Sequence, residues 1–246
     1  MSALHVPAQF DHLCVVLVAT RNPLNLGAAA RAMSNFGFMH LRVVNPYEIA
    51  FREARSAVGA SAILKDAEEY KSVADAVSDC AIVIGTTALR NREVHHRFHV
   101  LQEGARLIRK NIRSNRIAIL FGSEKVGLSN DSLSHCNWLL HIPTREGHPS
   151  MNLGQAVAVC LYELAREAPK AAGSERTKLA PAGEVERLTA ILLEALHESG
   201  YTSERSSSAT EAKLRRLLRR FHLDAQDAQL LQGMLRQVSW KLKSKS

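Results

Sequence analysis

Three separated stretches concentrate residues able to hold a charged ligand. The first, "ATRNPLNLGAAARAM" from Ala19 to Met33, carries Asn22, Pro23, Asn25 and Gly27, and then Arg31 one turn into the helix expected there. Asparagine amides stabilise turns, proline fixes φ, glycine permits close approach, and a guanidinium matches a phosphate. Arg31 therefore has two readings, a side chain facing solvent or a phosphate contact at a ligand rim. The second stretch, "LFGSEKVGLSND", sets Glu124 between Gly122 and Gly127, with Ser129, Asn130 or Asp131 available to cap a following helix. In the third, "HIPTREGHPSMNLGQAVAV", a polar loop with Gly147 and Pro149 leads to Ser150 and Asn152, either of which can cap the apolar helix after it.

Several chemistries fail on spacing. A phosphate-binding P-loop needs Lys and then Ser or Thr directly after its last glycine, whereas Gly127 is followed by Leu128 and Ser129. No G-x-G-x-x-G occurs, which weakens a dinucleotide site. Cys14, Cys80, Cys136 and Cys160 lie far apart and read as reduced thiols, and His95, His96 and His99 lack the partners of a metal site. No metal is expected.

Each polar stretch follows an apolar, β-branched run. The strand candidates are "LCVVLVA", "LRVVNP", "AIVIGT", "IAILFG" and "WLLHIP", apolar on both faces as in a parallel sheet covered by helices. Helical composition marks "AAARAMSNF", residues 67 to 78, residues 100 to 110 and "LGQAVAVCLYELARE". The alternation predicts an α/β domain, in which ligands bind beyond the carboxyl ends of the strands.

Residues 168 to 183 hold Pro, Gly and charge without periodicity and are expected as a linker, with the domain boundary near Gly173. Beyond it, helical spacing of Val185, Leu188, Ile191, Leu192 and Leu196, then of Leu214, Leu217, Leu218 and Phe221, and then of Leu230, Leu231, Met234, Leu235 and Val238 predicts a small helical bundle over 184 to 246. Arg215, Arg216, Arg219 and Arg220 are expected on the other faces of the second of these helices. From Glu211 to Ser246 nine basic residues stand against three acidic, so most of the net charge of +8 lies there. A polyanion such as RNA, or a solvated or dimerising helix face, both fit that density. No stretch is apolar enough to cross a bilayer and the start lacks a secretory signal, so a cytoplasmic protein is expected.

In this order, "NPLNLGAAAR", "FGSEKVGL" and "IPTREGHPSMNLGQAVAV" resemble the three signature motifs of the SpoU class of RNA 2′-O-ribose methyltransferases, in the SPOUT superfamily. The resemblance covers residues 11 to 167. The segment "KLRRLLRRFHLDAQDAQLLQGMLRQV" is similar to the helical extension of the TrmJ-type enzymes, which methylate cytidine or uridine 32 of tRNA. Residues 1 to 167 are then the methyltransferase domain. The resemblance implies S-adenosylmethionine as donor, a trefoil knot and a homodimer with sites at the subunit interface. By motif position it implies a donor site at Thr86, Thr87, Ala88, Gly122, Ile142, Pro149, Ser150 and Met151. It implies a catalytic rim of Asn25, Arg31, Glu124, Ser150 and Asn152, and RNA contacts at Arg31, Arg215, Arg216, Arg219 and Arg220. Ser123 stands where relatives often carry Asn or Arg. A ribosomal RNA enzyme of the same class and an inactive RNA-binding relative are the alternatives.

Overall fold

A computed structural model describes residues 8–56, 62–88, 96–167, 178–202 and 207–244. His95 and Gly173 lie outside them. After a 3-10 turn (Ala8–His12) come β1 (Leu13–Val18), α1 (Pro23–Phe36), β2 (His40–Val44), α2 (Glu48–Ser56), α3 (Ala62–Lys65), β3 (Glu68–Tyr70), α4 (Val73–Ala76) and β4 (Ile82–Thr87). Then follow β5 (Phe98–Val100), α5 (Leu101–Asn111), β6 (Ile117–Phe121), α6 (Asn130–Ser134), β7 (Trp138–His141) and α7 (Leu153–Ala165). Three helices close the chain: α8 (Ala182–Glu198), α9 (Ser207–Arg220) and α10 (Ala225–Lys243).

Among the described residues the strands form one parallel sheet in the order β3-β2-β1-β6-β4-β7-β5. The pleat explains why the central runs are apolar throughout. Leu13, Val15, Leu17, Ile117, Ile119 and Phe121 point to one face and share a core with residues of α1, α5 and α7. Cys14, Val16, Val18, Ala118 and Leu120 point to the other, against residues of α4, α6 and the start of α8. The four cysteines are free and buried.

All five expected strands are present. The edge strands β3 and β5 are additional, three residues each and too short and polar for a periodic signal. Residues 67 to 78, expected as helix, divide instead into β3 and the single turn α4, because the Ser72 hydroxyl accepts from the Asp75 N–H and starts the helix there. "LRVVNP" is not wholly apolar in use. Arg42 is 4% exposed, pairs with Asp79 at 2.6 Å and donates to the Ala76 carbonyl at 2.8 Å.

The second half of the expected linker is structured. The Leu179 N–H donates to Asn115 Oδ1, Ala182 N–H to the Cys80 carbonyl and Gly183 N–H to the Ser78 carbonyl. Main-chain hydrogen bonds thus pin residues 178 to 183 to the sheet domain, and α8 starts at Ala182. Val185, Leu188, Leu218 and Ala228 form a separate small core joining α8, α9 and α10.

Candidate active site

The carboxyl ends of β1, β6 and β7 bring the three polar stretches together. Asn22 caps α1, its side chain accepting from the Leu24 N–H at 2.9 Å, with Pro23 as the first helical residue. That early start puts Asn25 on the first turn, buried and directed at the neighbouring loop. Asn25 Nδ2 donates to Glu124 Oε1 at 2.8 Å, and Asn152 Nδ2 donates to Asn25 Oδ1 at 2.8 Å. A carboxylate only accepts, so it fixes which way the Asn25 amide points, and Asn25 in turn fixes Asn152. Asn152 Oδ1 accepts from the Gly154 and Gln155 N–H groups and caps α7. The Arg21 N–H donates to the second oxygen of Glu124 at 3.4 Å. One hydrogen-bonded chain therefore ties segments about a hundred residues apart, at the positive end of α1.

Beside this chain lies a cavity of about 370 Å³. Thr86, Thr87, Ala88, Gly122, Ile142, Pro149, Ser150 and Met151 all line it, as does Glu124. Its wall also includes Leu133 of α6, Leu140 of β7 and Ala156 of α7. The Thr86 hydroxyl donates to the Leu120 carbonyl at 2.9 Å, joining the ends of β4 and β6. The Ser123–Gly127 turn forms another wall. Gly127 has φ of 70°, a conformation that favours glycine, and its N–H donates to the Ser123 carbonyl at 2.8 Å. Gly122 is needed for a different reason: a Cβ there would sit 2.1 Å from the Gly127 carbonyl carbon. The buried Ser123 hydroxyl accepts from the Val126 N–H and helps close the turn, a use that requires neither Asn nor Arg. The first turn is also strained, with Ala19 at φ 52°.

Residues 12–162 match the SpoU rRNA Methylase family model. The chain belongs to the SpoU methylase family. It is 33% identical over 240 residues to the tRNA (cytidine/uridine/adenosine-2′-O-)-methyltransferase TrmJ of Pseudomonas aeruginosa, covering 92% of this chain and 93% of that one. It is 31% identical over 242 residues to the tRNA (cytidine/uridine-2′-O-)-methyltransferase TrmJ of Salmonella typhimurium, covering 96% and 99%. The crystal structure of TrmJ from Z. mobilis matches with a TM-score of 0.80 at 30% identity, over 92% of this chain and 98% of that one.

The structure alters two expectations, the first being that Arg31 lies one turn into its helix. Because α1 starts at Pro23, Arg31 lies more than two turns into the helix, roughly 12 Å along its axis at 1.5 Å per residue. Its side chain is exposed, bonds to no other described residue and is not part of the cavity wall. Gly27 likewise lies inside α1 and makes no turn. The second correction concerns α9. Arg215 and Arg219 are 6% and 2% exposed and so cannot serve as surface phosphate contacts. Arg215 makes a bidentate pair with Glu186 of α8 and donates to the Ser134 hydroxyl of α6 at 3.0 Å. Arg219 donates to the Ala182 carbonyl, and burial holds its pKa down at about 10. Arg216 is half-buried and Arg220 exposed, leaving these two of the four within reach of solvent. His135 beside this network is lowered to about 4, first by burial and then by Arg215. No sequence signal separated the inward arginines from the outward ones.

Proposed function

We propose that the chain transfers the methyl group of S-adenosylmethionine to a ribose 2′-hydroxyl of tRNA, at cytidine or uridine 32 of the anticodon loop. The observation that carries this reading is the Glu124–Asn25–Asn152 chain, which reaches a cavity of cofactor size through Glu124. The names of the TrmJ relatives support the choice of tRNA and of the 2′ oxygen. The cavity fits the donor chemically: its wall combines apolar Leu133, Leu140 and Ile142 with the side-chain-free residues Gly122 and Gly127. Thr86, Thr87, Ala88, Gly122, Ile142, Pro149, Ser150 and Met151 would hold the donor, which when bound supplies a methyl carbon activated by its sulfonium.

The work of the protein side chains is orientation. Methyl transfer needs the attacking oxygen in line with the departing sulfur, so holding the strand ends in one register supplies much of the rate. Glu124, Asn25 and Asn152 fix that register, and Ser150 stands on the same rim. Arg31 clamps the target phosphate; a guanidinium keeps its own proton, so a phosphate oxygen or water accepts the hydroxyl proton. Since Arg31 stands away from the cavity, this reading includes a homodimer with the site at the subunit interface. A trefoil knot in the C-terminal part of the sheet domain, a cytoplasmic location and RNA contacts from Arg216 and Arg220 belong to it as well.

The test offers labelled donor with transcripts of tRNA and ribosomal RNA. The expected result is label on tRNA and a 2′-O-methyl group at nucleotide 32, read as a gap in an alkaline ladder. Label on ribosomal RNA alone would change the substrate, and donor binding without transfer would make the chain an RNA-binding relative. Arg31→Lys at saturating tRNA should lower turnover about tenfold or more, because Lys cannot make the bidentate contact. Near-full turnover would remove the clamp.

A further inference from the structure

A second cavity, of about 440 Å³, opens at the opposite edge of the same strands. Ile82, Ile117 and Trp138, the first residues of β4, β6 and β7, line it, whereas the first cavity meets those strands at their far ends. The two share no lining residue, and along β4 roughly 13 Å of strand separates Ile82 of one from Thr86 of the other at about 3.3 Å per residue.

The wall of this cavity is divided by chemistry. Its floor is apolar, with Ile82, Ile117, Trp138 and Leu179. Its remaining wall carries Arg97 and His99 from the sheet domain, Arg220 from the end of α9 and His222 from the turn after it, so it sits where the two parts of the chain meet. Among the described residues no carboxylate lines it. Glu103 lies 3.8 Å from His99, whose ring packs edge-on to Trp138. Arg97 and Arg220 pair with no described carboxylate, in contrast to Arg42, Arg109, Arg166 and Arg215, which all do. The two asparagines on the wall are occupied, Asn137 by Val83 and Arg219 and Asn111 by Leu107. Burial, and after it the charge of Arg97, lowers the pKa of His222. His222 also has φ of 48°, in the left-handed region a side chain rarely adopts, and the bridge between Leu179 and Asp224 holds the segment.

Arg97 and Arg220 line one space above an apolar floor with no carboxylate among the described residues on its wall, which calls for a ligand with an anionic head and a flat apolar body. We propose that this second cavity binds a nucleoside phosphate, its phosphoryl group on Arg97 and Arg220 and its base against the floor beside Trp138. The ligand is a free nucleotide or one nucleotide of an RNA chain; the chemistry is shared and the experiment separates the sources. The proposal stands independently of methyl transfer at the first cavity.

The test uses the full chain carrying Trp240→Phe, which leaves Trp138 as its one tryptophan. Titration with CMP should change Trp138 fluorescence, while cytidine and inorganic phosphate should each bind about tenfold more weakly. Arg97→Gln with Arg220→Gln, both at exposed positions, should weaken CMP binding about tenfold or more, and Arg216→Gln should leave it unchanged. Competition on the unsubstituted Arg97 and Arg220 separates the sources: CMP displaced by excess tRNA identifies an RNA nucleotide, and CMP binding unchanged under saturating tRNA identifies a free nucleotide. CMP binding that survives the double substitution overturns the proposal. So does the absence of any Trp138 response at ~10 mM CMP, well above a millimolar dissociation constant, even if tRNA affinity falls, since that would leave only a surface phosphate contact.

Discussion

The strand-end cavity and the helical tail both carry polar residues in dense clusters, yet they use them in opposite ways. At the strand ends Asn25, Glu124 and Asn152 bond to one another, and Glu124 lines an open space. In the tail Arg215 and Arg219 turn inward and fasten α9 to Glu186, Ser134 and Ala182. A strand that ends at a sheet rim must deliver its next residues there, whereas a helix can rotate about its axis to suit what it packs on. The acceptors on α6 and α8 outweighed the apolar stripe. Leu217 and Phe221, expected inward, are 37% and 56% exposed.

The largest effect should come from breaking the tail's network. Glu186→Gln leaves two buried guanidiniums undercompensated and should cost about 3 kcal/mol in urea unfolding, while Arg216→Gln costs almost nothing. The same pair sharpens the contrast in RNA binding, since only Arg216→Gln should flatten the salt dependence, by about one unit of slope. Equal costs for both substitutions would erase the distinction between inward and outward arginines.

Next in size is the cavity turn. Gly122→Ala sets a methyl group against the Gly127 backbone, an overpacking worth about 1–3 kcal/mol, and should weaken donor binding about tenfold or more by calorimetry. Unchanged donor affinity would mean that the turn is not part of the donor site.

Acid should separate the regions too. The His135 pKa lies below its unfolded value of 6.5, at about 4, so its contribution is present above pH 6.5 and is lost as pH falls towards 4. The loss should reach about 2 kcal/mol by pH ~5, and His135→Gln should flatten it. Asp79, held at about 2 chiefly by its hydrogen bonds from Arg42, acts lower: its contribution is present above 3.8 and lost as pH falls through about 2. Because Asp79 is partly exposed, solvent screening keeps that second effect small.

Asn25→Ala removes the middle of the hydrogen-bonded chain and should cost about 1–2 kcal/mol of stability, with a larger proportional fall in kcat than in donor affinity. The smallest effect is expected at Gly27, where a Cβ would meet nothing within 4 Å. Gly27→Ala should raise stability by up to about 1 kcal/mol through helix propensity. If turnover falls despite that gain, the open space beside Gly27 serves RNA or a second copy of the chain.

Much of the sheet was legible because Leu13–Val18 and Ile117–Phe121 are buried on both faces and so must be apolar at every position. Glu68–Tyr70 and Phe98–Val100 were not, because a three-residue edge strand needs a neighbour more than a composition. In the site, the polar residues after each strand could be named in advance. The aliphatic wall at Leu133, Leu140 and Ala156 could not, since nothing in their local sequence distinguishes them from core.

The order of residues by itself determined the parallel α/β layering and which loops emerge at the carboxyl edge of the sheet, because pleat and chain direction are local properties of a strand. Only the tertiary structure decided that Asn25 meets Glu124, that Arg31 stands away from the cavity, and which arginines of α9 face inward. Those outcomes depend on groups distant in the chain finding partners across space, and helical spacing carries no record of a partner.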